Sequence, residues 1–251
     1  MKQNIYDDPQ FFAGYDALRR AERGLNAALE WPALRAMLPS LSGLRVLDLG
    51  CGFGHHCRWM REQGATAVLG VDLSERMLER ARATTPDPAI EYRHCAIEDL
   101  EAEPHSFELV CSSLALHYVA DFGAICARVA EWLVPQGHFV FSVEHPLMTA
   151  VESQSWCVDE SGVRRHWPID KYRQEGIRHT RWFVDDVIKY HRTIETYVNA
   201  LVEQGLELRR LCEPEPTADA LRERPELADE TRRPPFLLIA ACKVKLVDES
   251  R

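Results

Sequence analysis

Short apolar runs alternate with amphipathic stretches between residues 45 and 143 of this chain. The apolar runs predict five buried strands, at Arg45–Leu49, Ala67–Val71, Ile90–His94, Phe107–Cys111 and Gly137–Val143. Helical spacing of the apolar residues between them predicts three helices, at His55–Gln63, Glu75–Ala83 and Phe122–Leu133. Strands and helices that alternate in this way form a parallel sheet with helices on both faces, because the crossover connections are right-handed.

The alternation breaks on both sides of this core. Residues 10–38 carry leucines at helical spacing and predict a helical segment. Residues 144–189 have little periodicity but are rich in aromatic side chains, which favours a functional cover over a disordered segment. After this segment the pattern predicts a helix and two strands, at Thr193–Gln204, Leu206–Cys212 and Phe236–Lys243.

Composition and charge narrow the class of protein. The chain has 251 residues, of which 46% are hydrophobic and 27% charged, as in ordinary globular proteins. Its net charge of -9 disfavours nucleic acid and anionic membranes as partners. We find neither a signal peptide nor an apolar run long enough to span a membrane, so we expect a cytoplasmic protein. The eight cysteines form no Cys-x-x-Cys pair, which predicts reduced thiols and no metal site.

The first strand runs directly into a glycine-rich loop. Glycines occupy positions 50, 52 and 54, and Asp72 ends the second strand 22 residues after the first of them. Glycines let a ligand lie against bare main chain, and a carboxylate at this strand end can accept hydrogen bonds from both hydroxyls of a ribose. His55 breaks the dinucleotide fingerprint, and no Lys-Ser or Lys-Thr follows as in a phosphate loop. The pattern predicts an adenosine cofactor.

Four segments in register resemble the class I S-adenosylmethionine-dependent methyltransferases. They are residues 46–54, 70–78, 107–118 and 133–141, of which the first reads Val-Leu-Asp-Leu-Gly-Cys-Gly-Phe-Gly. The resemblance implies a Rossmann-like α/β fold, with a seven-stranded, mostly parallel sheet whose last strand, Phe236–Lys243, is antiparallel. The whole chain also resembles a bacterial subgroup of small-molecule methyltransferases, through residues 11–15, 142–146, 191–193 and 233–238.

The resemblance implies the domain organisation. We expect a single methyltransferase domain over residues 1–251, with helices on both faces of the sheet. Its parts are an N-terminal helical cover (1–40), the cofactor-binding core (44–147), a substrate-cover insertion after the fifth strand (148–190) and the C-terminal part of the sheet (191–251).

The resemblance also implies which residues bind S-adenosylmethionine. Gly50, Gly52 and Gly54 would line its methionine and ribose, and Asp72 would hold the ribose. The other residues implied in the core are Asp48, which orders the loop, Leu73 and Met77, which flank the adenine, and Ser112 and Ser113, whose backbone contacts the methionine ammonium.

Adenine recognition departs from the family pattern. Many relatives carry an aspartate at the position of Ala96, so backbone groups at Ala96 and Ile97, helped by Glu98, would have to bind the adenine. The N-terminal helix is expected to close over the cofactor. There Tyr15 would pack on the sulfonium by a cation–π contact, and Arg19 would pair with the cofactor carboxylate.

Three residues near strand ends are candidates for removing a proton from a methyl acceptor. They are His145, His117 and Glu144, and His145 is preferred because Pro146 restricts its backbone. Either histidine could instead have a structural role as a helix cap or hydrogen-bond partner. Arg192 could face solvent, which is the favoured interpretation, or bind an acidic substrate.

The aromatic residues of the insertion also have two interpretations. They could form a wall for an apolar or planar acceptor, or a small core of the insertion itself; they are Trp156, Trp167, Tyr172 and Trp182.

These patterns predict an enzyme that transfers a methyl group from S-adenosylmethionine to O or N of a small organic molecule, releasing S-adenosylhomocysteine. We expect a monomer or a homodimer. One alternative is a macromolecular acceptor, protein or RNA, which the acidic charge disfavours. The stretch Ser112–Ala115 also lacks the Asn-Pro-Pro-Tyr or Asp-Pro-Pro-Tyr of enzymes that methylate amino groups of nucleic acids. A second alternative is a non-catalytic protein that binds the cofactor.

Overall fold

The computed structural model describes residues 2–18 and 24–244. In chain order the strands are β1 (Arg45–Leu49), β2 (Ala67–Asp72), β3 (Ile90–His94), β4 (Phe107–Ser113), β5 (Leu133–Glu144), β6 (Cys157–Val158), β7 (Arg164–His166), β8 (Gly176–Trp182), β9 (Val184–His191), β10 (Leu206–Cys212) and β11 (Phe236–Lys243). The α-helices are α1 (Pro9–Asp16), α2 (Trp31–Met37), α3 (His55–Glu62), α4 (Glu75–Ala83), α5 (Phe122–Trp132), α6 (Pro146–Thr149), α7 (Ile194–Glu203) and α8 (Ala218–Glu223).

Seven strands form the main sheet in the order β3-β2-β1-β4-β5-β11-β10. The pairs from β3 to β5 are parallel, and β11 is antiparallel to both of its neighbours. This confirms the predicted Rossmann-like sheet with an antiparallel last strand. After β3 the chain returns to the other side of β1, so the strand order reverses between β1 and β4. A crevice opens at the carboxyl ends of strands at such a reversal, which is where ligands bind in this architecture.

Two hydrophobic cores cover the two faces of the sheet. Alternate residues of one strand enter different cores, so Phe139 and Phe141 pack on one face and Val140 on the other. The first core takes residues of α5 and α7, and the second takes residues of α2, α3 and α4. Helices therefore lie on both faces, because side chains on a strand point alternately to its two sides.

The predicted N-terminal helix is broken in the structure. α1 begins after the Asp8 cap and ends at Asp16, and α2 begins at Trp31 with Pro32 in its first turn. A short 3-10 helix at Gly24–Ala27 precedes α2, and Gly24 has a φ of +63°. Leucine spacing alone did not detect these breaks, because a short helix and a long one show the same period.

The segment between β5 and α7 forms two hairpins that periodicity did not predict. Strands β6 and β7 pair in one hairpin, and β8 and β9 in the other, where Phe183 turns the chain with a φ of +59°. The stretch 213–235, between the last two strands, contains α8 and a 3-10 helix at Pro225–Thr231. Within the two described ranges, no helix combines the length and apolar character needed to cross a membrane.

Candidate active site

The glycine loop joins β1 to α3 at the strand-order reversal. The amides of Gly50 and Cys51 both donate to the carbonyl of Val71, at 2.8 and 2.9 Å, which ties the loop to β2. Gly50 and Gly52 have φ values of +76° and +53°, a region that L side chains rarely adopt. A Cβ at Gly50 would overlap the Cβ of Ala115, whereas a Cβ at Gly52 would meet nothing within 4 Å. Glycine is therefore needed at position 50 for close packing against Ala115, whereas the backbone at Gly52 borders open space.

Asp72 links this loop to the end of β2. One carboxylate oxygen accepts from the amide of Gly52 at 2.8 Å, and the other accepts from the amide of Ser74 at 2.9 Å. Burial raises the pKa of Asp72, and these amide donors oppose that shift. Each carboxylate oxygen can accept more than one hydrogen bond, so both keep capacity for a ligand.

A cavity of about 1100 Å³ lies over the carboxyl ends of β1, β2, β4 and β5. It brings together residues that are more than a hundred positions apart in the chain. Twelve of the predicted site residues line it: Tyr15, Gly50, Gly52, Asp72, Leu73, Met77, Ala96, Ile97, Glu98, Ser113, His117 and Glu144.

Three predicted cofactor residues lie behind the cavity wall. Asp48 is buried and accepts a hydrogen bond from the Cys57 thiol at 3.3 Å. Ser112 is also buried, and its hydroxyl donates to the Leu49 carbonyl at 2.7 Å, joining β4 to β1. Gly54 is needed because a Cβ there would overlap the Tyr92 hydroxyl. These three residues support the loop from behind. The predicted contact of Arg19 lies outside the described residues.

His145 does not line the cavity. It caps α6, since its Nδ1 accepts from the amide of Leu147 at 3.1 Å, and its Nε2 donates to Glu213 at 2.8 Å. Burial lowers the pKa of His145, and Glu213 opposes that shift. The structure disfavours the preference for His145, because hydrogen bonds to the Leu147 amide and to Glu213 hold its ring as a cap of α6, outside the cavity lining.

His117 and Glu144 both line the cavity and contact each other. The Nδ1 of His117 accepts from the backbone amide of Glu144 at 3.3 Å. Burial lowers the pKa of His117 to about 4, so its ring is neutral at neutral pH. Glu144 pairs with Lys189 at 2.6 Å and accepts from the amide of Gln154 at 3.0 Å. Burial alone would raise the pKa of Glu144, but Lys189 and His117 hold it below its ordinary value.

The insertion aromatics divide between the two interpretations. Trp182 lines the cavity, as an acceptor wall would. Trp156 and Trp167 instead pack against each other with ring centroids 5.5 Å apart and enclose the guanidinium of Arg233. Tyr172 packs against His191 at 5.7 Å. The insertion therefore has a small core of its own and contributes one of these four side chains to the cavity.

Arg192 is buried, unlike the predicted solvent-facing side chain. Its Nη2 donates to the carbonyls of Val119 and Ala120, the latter at 2.9 Å. It thus supports the turn that follows β4, while the neighbouring Thr193 caps α7.

Several cavity residues had no recognisable signal in the sequence. They lie in short 3-10 helices, in α6 and in the β8–β9 hairpin, and they are Tyr6, Tyr118, Met148, Ile188 and Tyr190. Tyr6 contacts Tyr15 with ring centroids 5.2 Å apart, and both tyrosines are among the residues of the N-terminal cover that line the cavity. Only Tyr118 belongs to a motif segment, where it directly follows His117.

We expect the protein to lose stability as the pH falls from about 6.5 towards 4. Burial lowers the pKa values of four histidines below the usual 6.5, namely His117, His138, His145 and His191. The unfolded chain then binds more protons than the folded one in this window, so each such histidine costs up to about 1.4 kcal/mol per pH unit. Carboxylates with lowered pKa values, such as Glu144, add to the loss below about 4.5.

Urea unfolding at several pH values between about 7.5 and 4.5 measures this slope. A His117→Gln variant should have a shallower slope, because it lacks one of the four histidine rings with a lowered pKa. A free energy of unfolding that stays constant across this range would contradict the expectation.

The comparisons with known proteins agree with this geometry. Residues 47–141 match the family described as "Methyltransferase domain". The crystal structure of an S-adenosylmethionine-dependent methyltransferase from Mesorhizobium loti is 51% identical, with a TM-score of 0.83, and the match covers 87% of this chain and 100% of that one. A solved structure from Listeria monocytogenes is 49% identical, with a TM-score of 0.84, over 88% of this chain and 100% of that one.

Curated relatives match over the whole chain or over its core. An uncharacterized protein from Haemophilus influenzae is 35% identical over 97% of this chain and 98% of its own length. A ubiquinone biosynthesis O-methyltransferase from Neisseria meningitidis is 42% identical over 106 residues, which are 41% of this chain and 44% of that enzyme. The match thus spans less than half of the ubiquinone enzyme.

Proposed function

This chain belongs to the S-adenosylmethionine-dependent methyltransferases, and we propose that it methylates an oxygen or nitrogen atom of a small organic molecule. The cofactor is S-adenosylmethionine. The local similarity to ubiquinone biosynthesis O-methyltransferases supports a small acceptor.

The shape and donors of the cavity fit this cofactor. At Gly52 the main chain borders the cavity with no atom within 4 Å of the place that a Cβ would occupy, which leaves room for a ligand against the backbone. Asp72 supplies two carboxylate oxygens at the neighbouring strand end, as a ribose requires. The adjoining wall carries the apolar side chains of Leu73, Met77 and Ile97, which suit a planar base.

These residues divide the work of holding the cofactor. The glycine loop would accommodate the methionine part, Asp72 the ribose and Leu73 with Met77 the adenine. The backbone groups at Ala96 and Ile97 would take the place of the aspartate that many relatives use. When bound, S-adenosylmethionine supplies a methyl group on a positively charged sulfur. Tyr15 and its neighbour Tyr6 would cover that end of the site and exclude water.

The main support for methyl transfer to a small molecule is that the cavity is continuous. One space joins Asp72 to Glu144, His117 and Trp182, and it measures about 1100 Å³. Pockets for a single drug-sized ligand measure roughly 300–1,000 Å³. The volume therefore suits a nucleoside cofactor together with a small acceptor, which must meet within a few ångströms for direct transfer.

Calorimetry followed by a turnover assay tests the proposal. We expect S-adenosylmethionine to bind, and a panel of small metabolites to include compounds that cause release of S-adenosylhomocysteine. No cofactor binding would refute the proposal. Binding without turnover on any compound would favour a non-catalytic role, and transfer to protein or RNA alone would favour a macromolecular acceptor.

A further inference from the structure

The turn after β4 presents two neutral hydrogen-bond donors to the cavity. Because the Nδ1 of His117 accepts from the Glu144 amide at 3.3 Å, the neutral ring carries its proton on Nε2. That Nε2 has no hydrogen-bond partner within the described part of the chain. The hydroxyl of Tyr118 accepts from the hydroxyl of Tyr6 at 3.5 Å and keeps its own proton to donate. The rings of His117 and Tyr118 lie 4.4 Å apart.

Neither donor is suited to removing a proton. Burial lowers the pKa of His117 to about 4 and raises the pKa of Tyr118 above its ordinary value, so both stay neutral at neutral pH. Glu144 is a weak base, because Lys189 holds its pKa low despite burial. These three groups are therefore poorly matched to an alcohol or an ammonium group, which must lose a proton before it accepts a methyl group.

The charges that act on His117 sum to a net positive charge, with Glu144 lining the cavity and Lys189 and Arg192 outside its lining. The charged groups that act on its ring are Glu144, Lys189 and Arg192, which together carry a net charge of +1. Lys189 and Arg192 are both buried, and only Lys189 is paired with the carboxylate of Glu144. An anion near a net positive, poorly solvated cluster gains more electrostatic stabilisation than it would in water.

We propose that the methyl acceptor is a small apolar organic acid whose ionised oxygen is held by His117 Nε2–H and Tyr118 O–H. This inference rests on the proposed function. A lone pair of the ionised oxygen forms the new bond to the methyl carbon while the carbon–sulfur bond breaks, both electrons of that bond remain on sulfur, and no proton is released. The apolar body of the acid would contact Trp182, Ile188 and Tyr190. A carboxylate and an acidic phenol share this chemistry.

Matched compounds on one skeleton test the acceptor class. The probes are cinnamic acid, cinnamyl alcohol, cinnamylamine and cinnamamide. The same four functional groups are tested in a benzyl set and a decyl set, and para-nitrophenol is the acidic phenol. We measure their binding to the protein loaded with S-adenosylhomocysteine, and methylated product by mass spectrometry with S-adenosylmethionine. The inference expects an acid or the phenol to bind at least about 10-fold more tightly than its neutral partners, the gain from one hydrogen bond to a charged group.

Methyl ester identifies a carboxylate acceptor, and methyl ether from the phenol identifies a phenolate. Equal or better binding by the alcohol, amine or amide of every set overturns the inference, as does a failure of all acids to bind. Methylation of neutral compounds alone would overturn it while the proposed function stands. If no compound of any class causes release of S-adenosylhomocysteine, that result counts against the proposed function itself.

Two substitutions of His117 separate the donor from a structural role. His117→Asn keeps an acceptor for the Glu144 amide but is too short to present a donor at the Nε2 position. We expect it to lower the preference for acid over amide about 10- to 100-fold. His117→Gln places an amide donor near the Nε2 position and should restore much of that preference. The cofactor affinity of each variant, measured in the same experiments, shows whether the variant is folded. An unchanged ratio of acid to amide affinity in His117→Asn and in Tyr118→Phe would refute the assignment.

Discussion

An Asp72→Asn variant should bind S-adenosylmethionine about 100-fold more weakly, or worse, because two hydrogen bonds from the ribose to a charged group are each worth about 1.5–3 kcal/mol. Asparagine keeps the shape of the side chain but has one acceptor oxygen in place of two. The amides of Gly52 and Ser74 already use both carboxylate oxygens of Asp72. One amide would therefore lose its acceptor, and the glycine loop would lose part of its link to β2.

The effect on folding should be much smaller than the effect on binding. Burial raises the pKa of Asp72, so the charged carboxylate is itself costly to bury, and the neutral amide removes that cost. Calorimetry gives the affinity, and thermal unfolding without cofactor gives the stability.

Asp87→Asn is the matched control, since this carboxylate also accepts a backbone amide, that of Ala89 at 2.9 Å, but does not line the cavity. An Asp72→Asn protein with the affinity of this control would contradict the role of Asp72.

Replacing Gly50 by alanine should both destabilise the protein and abolish cofactor binding. The φ of +76° at Gly50 costs an alanine about 1–2 kcal/mol. The added Cβ would also overlap the Cβ of Ala115, which belongs to the turn after β4, and such overpacking typically costs about 1–3 kcal/mol more. We expect the unfolding midpoint to fall by about 10 °C. Relief of the overlap would move the loop away from the cavity, which removes the cofactor site.

Alanine substitutions at two other glycines separate the effect of backbone strain from the effect of the steric overlap with Ala115. Gly43 has a φ of +82° and Gly52 a φ of +53°, and a Cβ at either would meet nothing within 4 Å. Gly43→Ala should therefore show only the conformational cost and bind cofactor normally. Gly52→Ala should unfold much like Gly43→Ala but bind cofactor weakly, because its methyl group enters the cavity. If Gly50→Ala unfolds at the same temperature as Gly43→Ala, the contact with Ala115 contributes nothing to stability.

The sheet and the glycine loop could be predicted because their signals are local. The strand from Arg45 to Leu49 carries Val46, Leu47 and Leu49 as a short apolar run, and a backbone with positive φ favours glycine wherever it occurs in the chain. The same locality explains two differences between expectation and structure. The leucines of residues 10–38 keep helical spacing across the break between α1 and α2, so their spacing does not reveal the break. Pro146 does restrict the backbone of His145. The orientation of the ring, however, is set by its hydrogen bonds to the amide of Leu147 and the carboxylate of Glu213.

The parallel sheet, the glycine turn and the acidic strand end follow from the amino-acid sequence alone, because each depends on neighbouring residues and on the fixed geometry of strands. The surroundings of His117 depend on the folded protein, because the N-terminal turn, the turn after β4, the end of β5 and the β8–β9 hairpin meet there. The neutral state of His117 depends on burial and on charges contributed by Glu144, Lys189 and Arg192. Those residues are distant in the chain, and their electrostatic effect on His117 exists only once the folded protein has brought them together and excluded water.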